Sequence, residues 1–206
     1  DPVDYMFYDL PDLLQEGDVI VINNTKVIPA RLFGKKRGTG ANIELLLLND
    51  VFEDTHQALT KPWKRIHVGD IIDITDTFYL ACIDKLEEGV FVYKLHYEGV
   101  LIEILEAIGK MPLPPYIHSD GKDDKRYQTI YAKYHGSSAA PTAGLHFTDS
   151  IFKALKEKNI DVIEVTLHVG LGTFKPVSVD NILDHHMHEE TYVITEQAAH
   201  KLNDAK

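Results

Sequence analysis

The sequence predicts an α/β main domain with an inserted small β-barrel-like domain. Three observations lead there. An apolar, β-branched run at Asp18–Asn23 ends on polar Asn24-Thr25; short strand-like runs between residues 43 and 97 are separated by turn signals; and residues 136–177 read as loop, helix, strand, loop. The main domain is assigned to residues 1–30 and 118–206, and the insert to residues 31–117.

Each element has a local reason. Asp18 to Asn23 is apolar on both faces and bounded by Gly17 and Asn23-Asn24, which predicts a buried strand. Ile43–Leu48, Ile71–Ile74, Phe78–Ile83 and Val90–Tyr97 are broken by Val68-Gly69-Asp70 and Glu87-Glu88-Gly89, the spacing of a barrel or sandwich. Val100–Ile108 predicts a helix with Leu101, Ile104, Leu105 and Ile108 on one face and Gly109 as its C-terminal stop. Met111 to Ile117, with three prolines, is a stiff linker closing the insert. Thr148 to Lys158 is a helix: Thr148 is its N-cap, Asp149 sits in the first turn, and Ile151, Phe152 and Leu155 form an apolar stripe. A strand from Asp161 to Val169 follows.

Length and composition narrow the class. The 206 residues suit one large or two small domains, and 44% apolar with 26% charged residues is ordinary for a globular chain. Cys82 has no second cysteine to pair with and lies in a strand-like run, pointing to an inert buried thiol and a cytoplasmic protein. No apolar run approaches the roughly 18 residues of a membrane span, and the chain opens without a signal-peptide pattern, so no membrane partner is expected.

Two runs carry the chemistry. Gly136-Ser-Ser-Ala-Ala-Pro-Thr-Ala-Gly-Leu-His-Phe-Thr148 gathers small residues that let backbone approach a ligand, then stops at a helix start. Thr166-Leu-His-Val-Gly-Leu-Gly-Thr-Phe-Lys-Pro-Val177 brings His, two glycines, Thr and Lys to the end of a strand, where open α/β sheets bind ligands. Gly170-x-Gly172 is not a dinucleotide fingerprint, because no helix with a third glycine follows. Ser137 and Ser138 lack a Gly-x-Ser-x-Gly elbow, which argues against a serine hydrolase. His185-His-Met-His-Glu-Glu190 is the metal candidate, but its spacing is not that of a known ligand set, and no metal is expected.

These two runs, together with Asn24-Thr-Lys-Val-Ile-Pro-Ala-Arg-Leu32, Met111-Pro-Leu-Pro-Pro-Tyr-Ile117 and His185–Glu190, resemble in order the signature segments of the S-adenosylmethionine:tRNA ribosyltransferase-isomerase family of the queuosine pathway. The resemblance spans nearly the whole chain and implies the same inserted domain. Two departures accompany it. Glu189 stands where the family pattern has a small residue. An Arg-, Ser- and Leu-rich segment before Asp1, and Thr-Thr-Ser-x-Arg and Phe-His-Leu-Pro stretches after Lys206, are not present, which implies an incomplete chain.

The resemblance implies that the ribosyl part of S-adenosylmethionine is transferred and isomerised onto the aminomethyl group of 7-aminomethyl-7-deazaguanine at the tRNA wobble position. Epoxyqueuosine forms, and adenine and methionine leave. S-adenosylmethionine is then a co-substrate, with no further cofactor, and the partner is a tRNA carrying the 7-deazaguanine precursor in its anticodon loop; the enzyme is expected to be a monomer. Such chemistry needs a base beside the sulfonium, and His168, His146, His188 and Glu190 are the catalytic candidates. Candidate substrate contacts are Asn24, Thr25, Arg31, Ser137, Pro141, Thr142, Ala143, Gly144, Phe147, Gly170, Gly172, Thr173 and Phe174. Phe147, Phe174 and Glu190 suit a sulfonium. The anticodon loop is expected in a cleft near Arg31, Tyr116, Arg126 and Tyr127, where a splayed base can stack.

The net charge of −11 opposes nucleic-acid binding, so local clusters must carry it: Lys35-Lys36-Arg37, Lys61 with Lys64-Arg65, and Lys122 with Lys125-Arg126. Two other classes stay open on the residues alone. One is a non-catalytic tRNA- or nucleotide-binding protein of the same fold; the other is a metal-dependent hydrolase using His185–Glu190.

Overall fold

Hydrophobic alternation in the middle of the chain, and longer apolar runs on either side of it, sort the backbone into two compact units. One is built from residues 1–27, 125–169 and 188–206, the other from residues 28–124 and 170–187. The computed structural model describes residues 3–87, 89–113, 124–170, 180–184 and 189–205. In chain order the elements are α1 (Leu10–Leu13), β1 (Val19–Asn23), β2 (Thr25–Val27), β3 (Arg31–Lys36), β4 (Asn42–Phe52), β5 (Thr55–Lys61), β6 (Ile71–Asp73), β7 (Tyr79–Glu87), β8 (Val90–His96), α2 (Leu101–Ile108), β9 (Tyr134–Ser137), α3 (Asp149–Glu157), β10 (Asp161–His168), β11 (Thr191–Val193) and α4 (Glu196–Asp204).

Strands β3 to β8 close into a barrel in the order β3-β4-β5-β8-β7-β6, each neighbour antiparallel. A barrel this small has room only for side chains inside. Leu32, Ile43, Leu45, Ala58, Ile72, Leu80, Phe91 and Tyr93 supply them. Tyr93 Oη lies 3.0 Å from Thr60 Oγ1, which satisfies both buried hydroxyls. Cys82 is buried in the same core, and desolvation pushes its thiol up to about 11, so the expectation of an inert thiol holds.

The predicted runs at 43, 71, 78 and 90 all become barrel strands. Two partners, β3 and β5, were not predicted. Along β5 the buried positions are His56, Ala58 and Thr60, which do not read as a hydrophobic face. The helix predicted over Val100–Ile108 forms as α2. Gly109 ends it as expected, in an extended conformation at φ −74° and ψ 158°. A glycine is required there because a Cβ would fall 1.8 Å from the Pro29 carbonyl oxygen.

In the other unit β1 and β10 pair in parallel, from Val19 opposite Asp161 to Asn23 opposite Val165, and β11 adds antiparallel to β10. β2 pairs in parallel with β9, with a register shift between Lys26 and Val27. α3 forms where expected; Thr148 caps it by accepting from the Ile151 N–H at 3.4 Å. Ile151 and Leu155 bury against Ile160, flanked by Phe7, Phe147 and Phe152. The expectation that Asp18–Asn23 is buried on both faces is corrected: Val21, on the edge strand β1, is 49% exposed, so the face it points to is not covered. Among the described residues no helix is long and apolar enough to cross a membrane.

Candidate active site

Side chains on alternate residues of a strand share a face, so Glu164, Thr166 and His168 project together from β10. The β1–β2 junction crosses them. Asn23 bonds the β10 backbone twice, its amide nitrogen donating to Leu167 O and its amide oxygen accepting from Leu167 N, both at 2.9 Å. Asn24 Nδ2 donates to Glu164 Oε2 at 2.8 Å, and Thr166 Oγ1 donates to Asn24 Oδ1 at 2.7 Å. Asn24 and Thr166 are buried, and leaving either unpaired costs about 1–3 kcal/mol, so the set pins the junction against β10.

Next to it, Thr25 Oγ1 lies 2.9 Å from His168 Nδ1 and 2.7 Å from Ser137 Oγ, and Ser137 Oγ accepts from the Val169 N–H at 2.8 Å. Thr25 and Ser137 are each 1% exposed. The His168 ring lies over Gly136, where a Cβ would fall 2.5 Å from Nδ1 and Cε1; that is why the run begins with glycine. Burial holds the His168 pKa below the usual imidazole value, so the ring is neutral at neutral pH. A neutral, braced imidazole at a strand end can accept a proton or donate a hydrogen bond.

The structure gathers Asn24, Thr25, Ser137 and His168 into this one cluster. The others lie elsewhere. Pro141, Thr142, Ala143, Gly144 and His146 form a 3-10 turn and its N-cap; Gly144 is buried where a Cβ would sit 2.2 Å from Tyr131 Oη. His146 is exposed, its ring 5.3 Å from Phe7, and Phe147 stacks on Phe152 at 5.1 Å. Glu190 is exposed beside β11. Gly170 falls in the barrel-containing unit, as does Arg31, whose Nε donates to Glu44 Oε1 at 2.8 Å. Gly172, Thr173, Phe174, Tyr116 and His185–His188 lie outside the described residues, and with them most of the metal candidate.

Two of the basic residues meant for phosphate are already engaged. Lys36 Nζ lies 2.6 Å from Asp70, and Arg37 forms a bidentate pair with Asp73, Nη2 donating to Oδ1 at 2.5 Å and Nε to Oδ2 at 3.1 Å. Tyr127 is 6% exposed and offers no open face for stacking. Beside Asn24 a cavity of about 310 Å³ is lined by Lys133, Glu164, Thr166, Thr195 and Lys201. A larger one, about 850 Å³, belongs to the barrel and is lined by Phe33, Lys35, Glu44, Lys61 and Asp73. Sequence reasoning passed over Glu164, and it quoted Asn23, Gly136 and Thr166 within its segments without singling them out as site residues. The i, i+2, i+4 spacing of Glu164, Thr166 and His168 was the available signal.

The segments that build this cluster sit inside a family model described as "Queuosine biosynthesis protein", which matches residues 2–206. The chain belongs to the queuosine biosynthesis protein family. It is 50% identical, over 98% of its length, to the S-adenosylmethionine:tRNA ribosyltransferase-isomerase of Clostridioides difficile (strain 630). It is likewise 50% identical, over 97% of its length, to the protein of the same name in Staphylococcus saprophyticus. The chain spans 59% of the length of each of these relatives. A crystal structure of S-adenosylmethionine tRNA ribosyltransferase from Thermotoga maritima aligns with 97% of this chain and 51% of its own, at 24% identity and a TM-score of 0.34.

Proposed function

We propose that this chain forms much of an S-adenosylmethionine:tRNA ribosyltransferase-isomerase. It would move the ribosyl part of S-adenosylmethionine onto the aminomethyl group of 7-aminomethyl-7-deazaguanine at the tRNA wobble position, form epoxyqueuosine, and release adenine and methionine. The observation that carries this reading is 50% identity over nearly the whole chain to relatives bearing that name. The His168 cluster supports it, since the cluster unites both small-residue runs with the β1–β2 junction.

In this reading His168 meets the reacting molecule. Thr25 and Ser137, both buried, hold His168, and Asn24 holds β10 through Glu164 and Thr166. Pro141, Thr142, Ala143, Gly144, Phe147, Gly170, Gly172, Thr173 and Phe174 are the further candidates for contact with S-adenosylmethionine, and His146, His188 and Glu190 remain the further candidates for proton transfer. The tRNA partner approaches through local positive charge, with Lys61, Lys64 and Arg65 on the barrel as anchors. The enzyme works as a cytoplasmic monomer and needs no metal or other cofactor.

The test uses the intact protein with S-adenosylmethionine and tRNA bearing the precursor base. Stoichiometric adenine release that requires this tRNA supports the reading. Binding of both without adenine release, or activity that disappears with a chelator and returns with zinc, would overturn it.

A further inference from the structure

Proton bookkeeping around Thr25 has two solutions, and burial separates them. A serine or threonine hydroxyl has one proton to give and two lone pairs with which to accept. Ser137 Oγ already accepts from the Val169 N–H. If His168 Nδ1 carried a hydrogen, it would donate to Thr25 Oγ1, and the 2.7 Å contact between Thr25 and Ser137 would use only one of their two hydroxyl protons. The other proton, in a residue 1% exposed, would face no acceptor among the described residues. In the opposite direction every proton is used: Val169 N–H to Ser137 Oγ, Ser137 O–H to Thr25 Oγ1, Thr25 O–H to His168 Nδ1. Hydrogen bonds aligned in this way also polarise and strengthen one another.

We propose that this buried Val169–Ser137–Thr25 chain fixes His168 as the Nε2–H tautomer, so that His168 meets the reacting molecule as a neutral hydrogen-bond donor and not as its general base. Thr25 and Ser137 are positioning residues in this scheme. The inference rests on the reading of His168 as the reacting group of the ribosyltransferase-isomerase. A fixed N–H donor stabilises charge that develops as a bond breaks without giving up its proton, and a neutral imidazole suits that task because it needs no protonation first. The packing of the ring on Gly136 fixes its plane, so the Nε2–H direction is set by the fold. The proton beside the sulfonium is then removed by another group.

The tautomer is read directly from long-range ¹H–¹⁵N spectra of the intact protein labelled at histidine, with the His168 signal identified by its loss in His168→Gln. The expected result at neutral pH is a protonated Nε2 and an unprotonated Nδ1. Thr25→Val removes the donor to Nδ1, so the Nδ1–H form should gain population and the His168 pKa should rise; Thr25→Ser should restore both. In turnover, His168→Gln keeps an N–H near the Nε2 position and should retain clearly more activity than His168→Ala. A parent Nδ1–H tautomer, or an imidazolium at neutral pH, overturns the proposal. So does an unchanged tautomer in folded Thr25→Val; if that variant fails to fold, the parent spectrum decides alone. Parental turnover in His168→Ala would remove the functional reading while leaving the tautomer assignment standing, so the two failures are distinguishable.

Discussion

Gly136 contributes by the atom it lacks. Gly136→Ala would place a methyl group 2.5 Å from the His168 ring, and because Thr25 holds the ring on its Nδ1 side the imidazole must leave its position. Turnover of the intact enzyme should fall by at least ten-fold, with a smaller loss of thermal stability; kinetics and a melting curve on the one variant check both. His168→Ala should lower turnover by roughly 100-fold or more, the scale of one lost transition-state hydrogen bond or proton transfer. S-adenosylmethionine affinity should change far less, and a single-turnover rate beside a binding titration separates the two. Burial lowers the His168 pKa in the folded state, so the folded protein takes up this proton at lower pH than the unfolded chain does. The stability His168 contributes is therefore fully present above the unfolded value of about 6.5 and is lost as pH falls toward the folded one. Acidification should depress the melting temperature of the parent more than that of His168→Gln. At this scale the sequence marked His168, Thr25 and Ser137, whose types and neighbours announce a site. It did not mark Glu164, and it quoted Thr166 only as the start of a run; their part appears once Asn24 arrives from the β1–β2 junction, distant in sequence.

Elements with local causes were legible, and those created by closure were not. α3 follows from a capping threonine and a 3.6-residue stripe, both visible in eleven residues of sequence. β5 alternates His56, Ala58 and Thr60 inward, and only the closed barrel makes that face a core face, with Thr60 satisfied by Tyr93. β11 is exposed throughout and has no hydrophobic pattern to betray it. Gly109 shows the same division: its place at the end of α2 was readable, but its reason, the approach of the Pro29 carbonyl, was not. Gly109→Ala should destabilise the protein by about 1–3 kcal/mol, because backbone cannot yield as a flexible side chain can. Denaturant unfolding would show the midpoint falling at unchanged slope.

At the scale of the whole molecule, Cys82 offers a handle on the barrel. Its thiol is buried between strands and held mostly protonated at neutral pH. Labelling by a thiol reagent should therefore be limited by opening of the barrel, with a rate that stops rising as reagent concentration increases; free reaction in the native state would mean that the strands part locally. The His168 cluster depends on connections between residues far apart in sequence. Thr25 meets Ser137 across 112 positions and His168 across 143, and the barrel strands lie in the sequence between them. Such closures are entropically slow and come late in folding. On the ribosome, residues emerge in order, so Thr25 leaves the tunnel long before its partners exist. Through most of synthesis the nascent chain holds no His168 cluster, and the cluster assembles only after β10 has been made and has paired with β1.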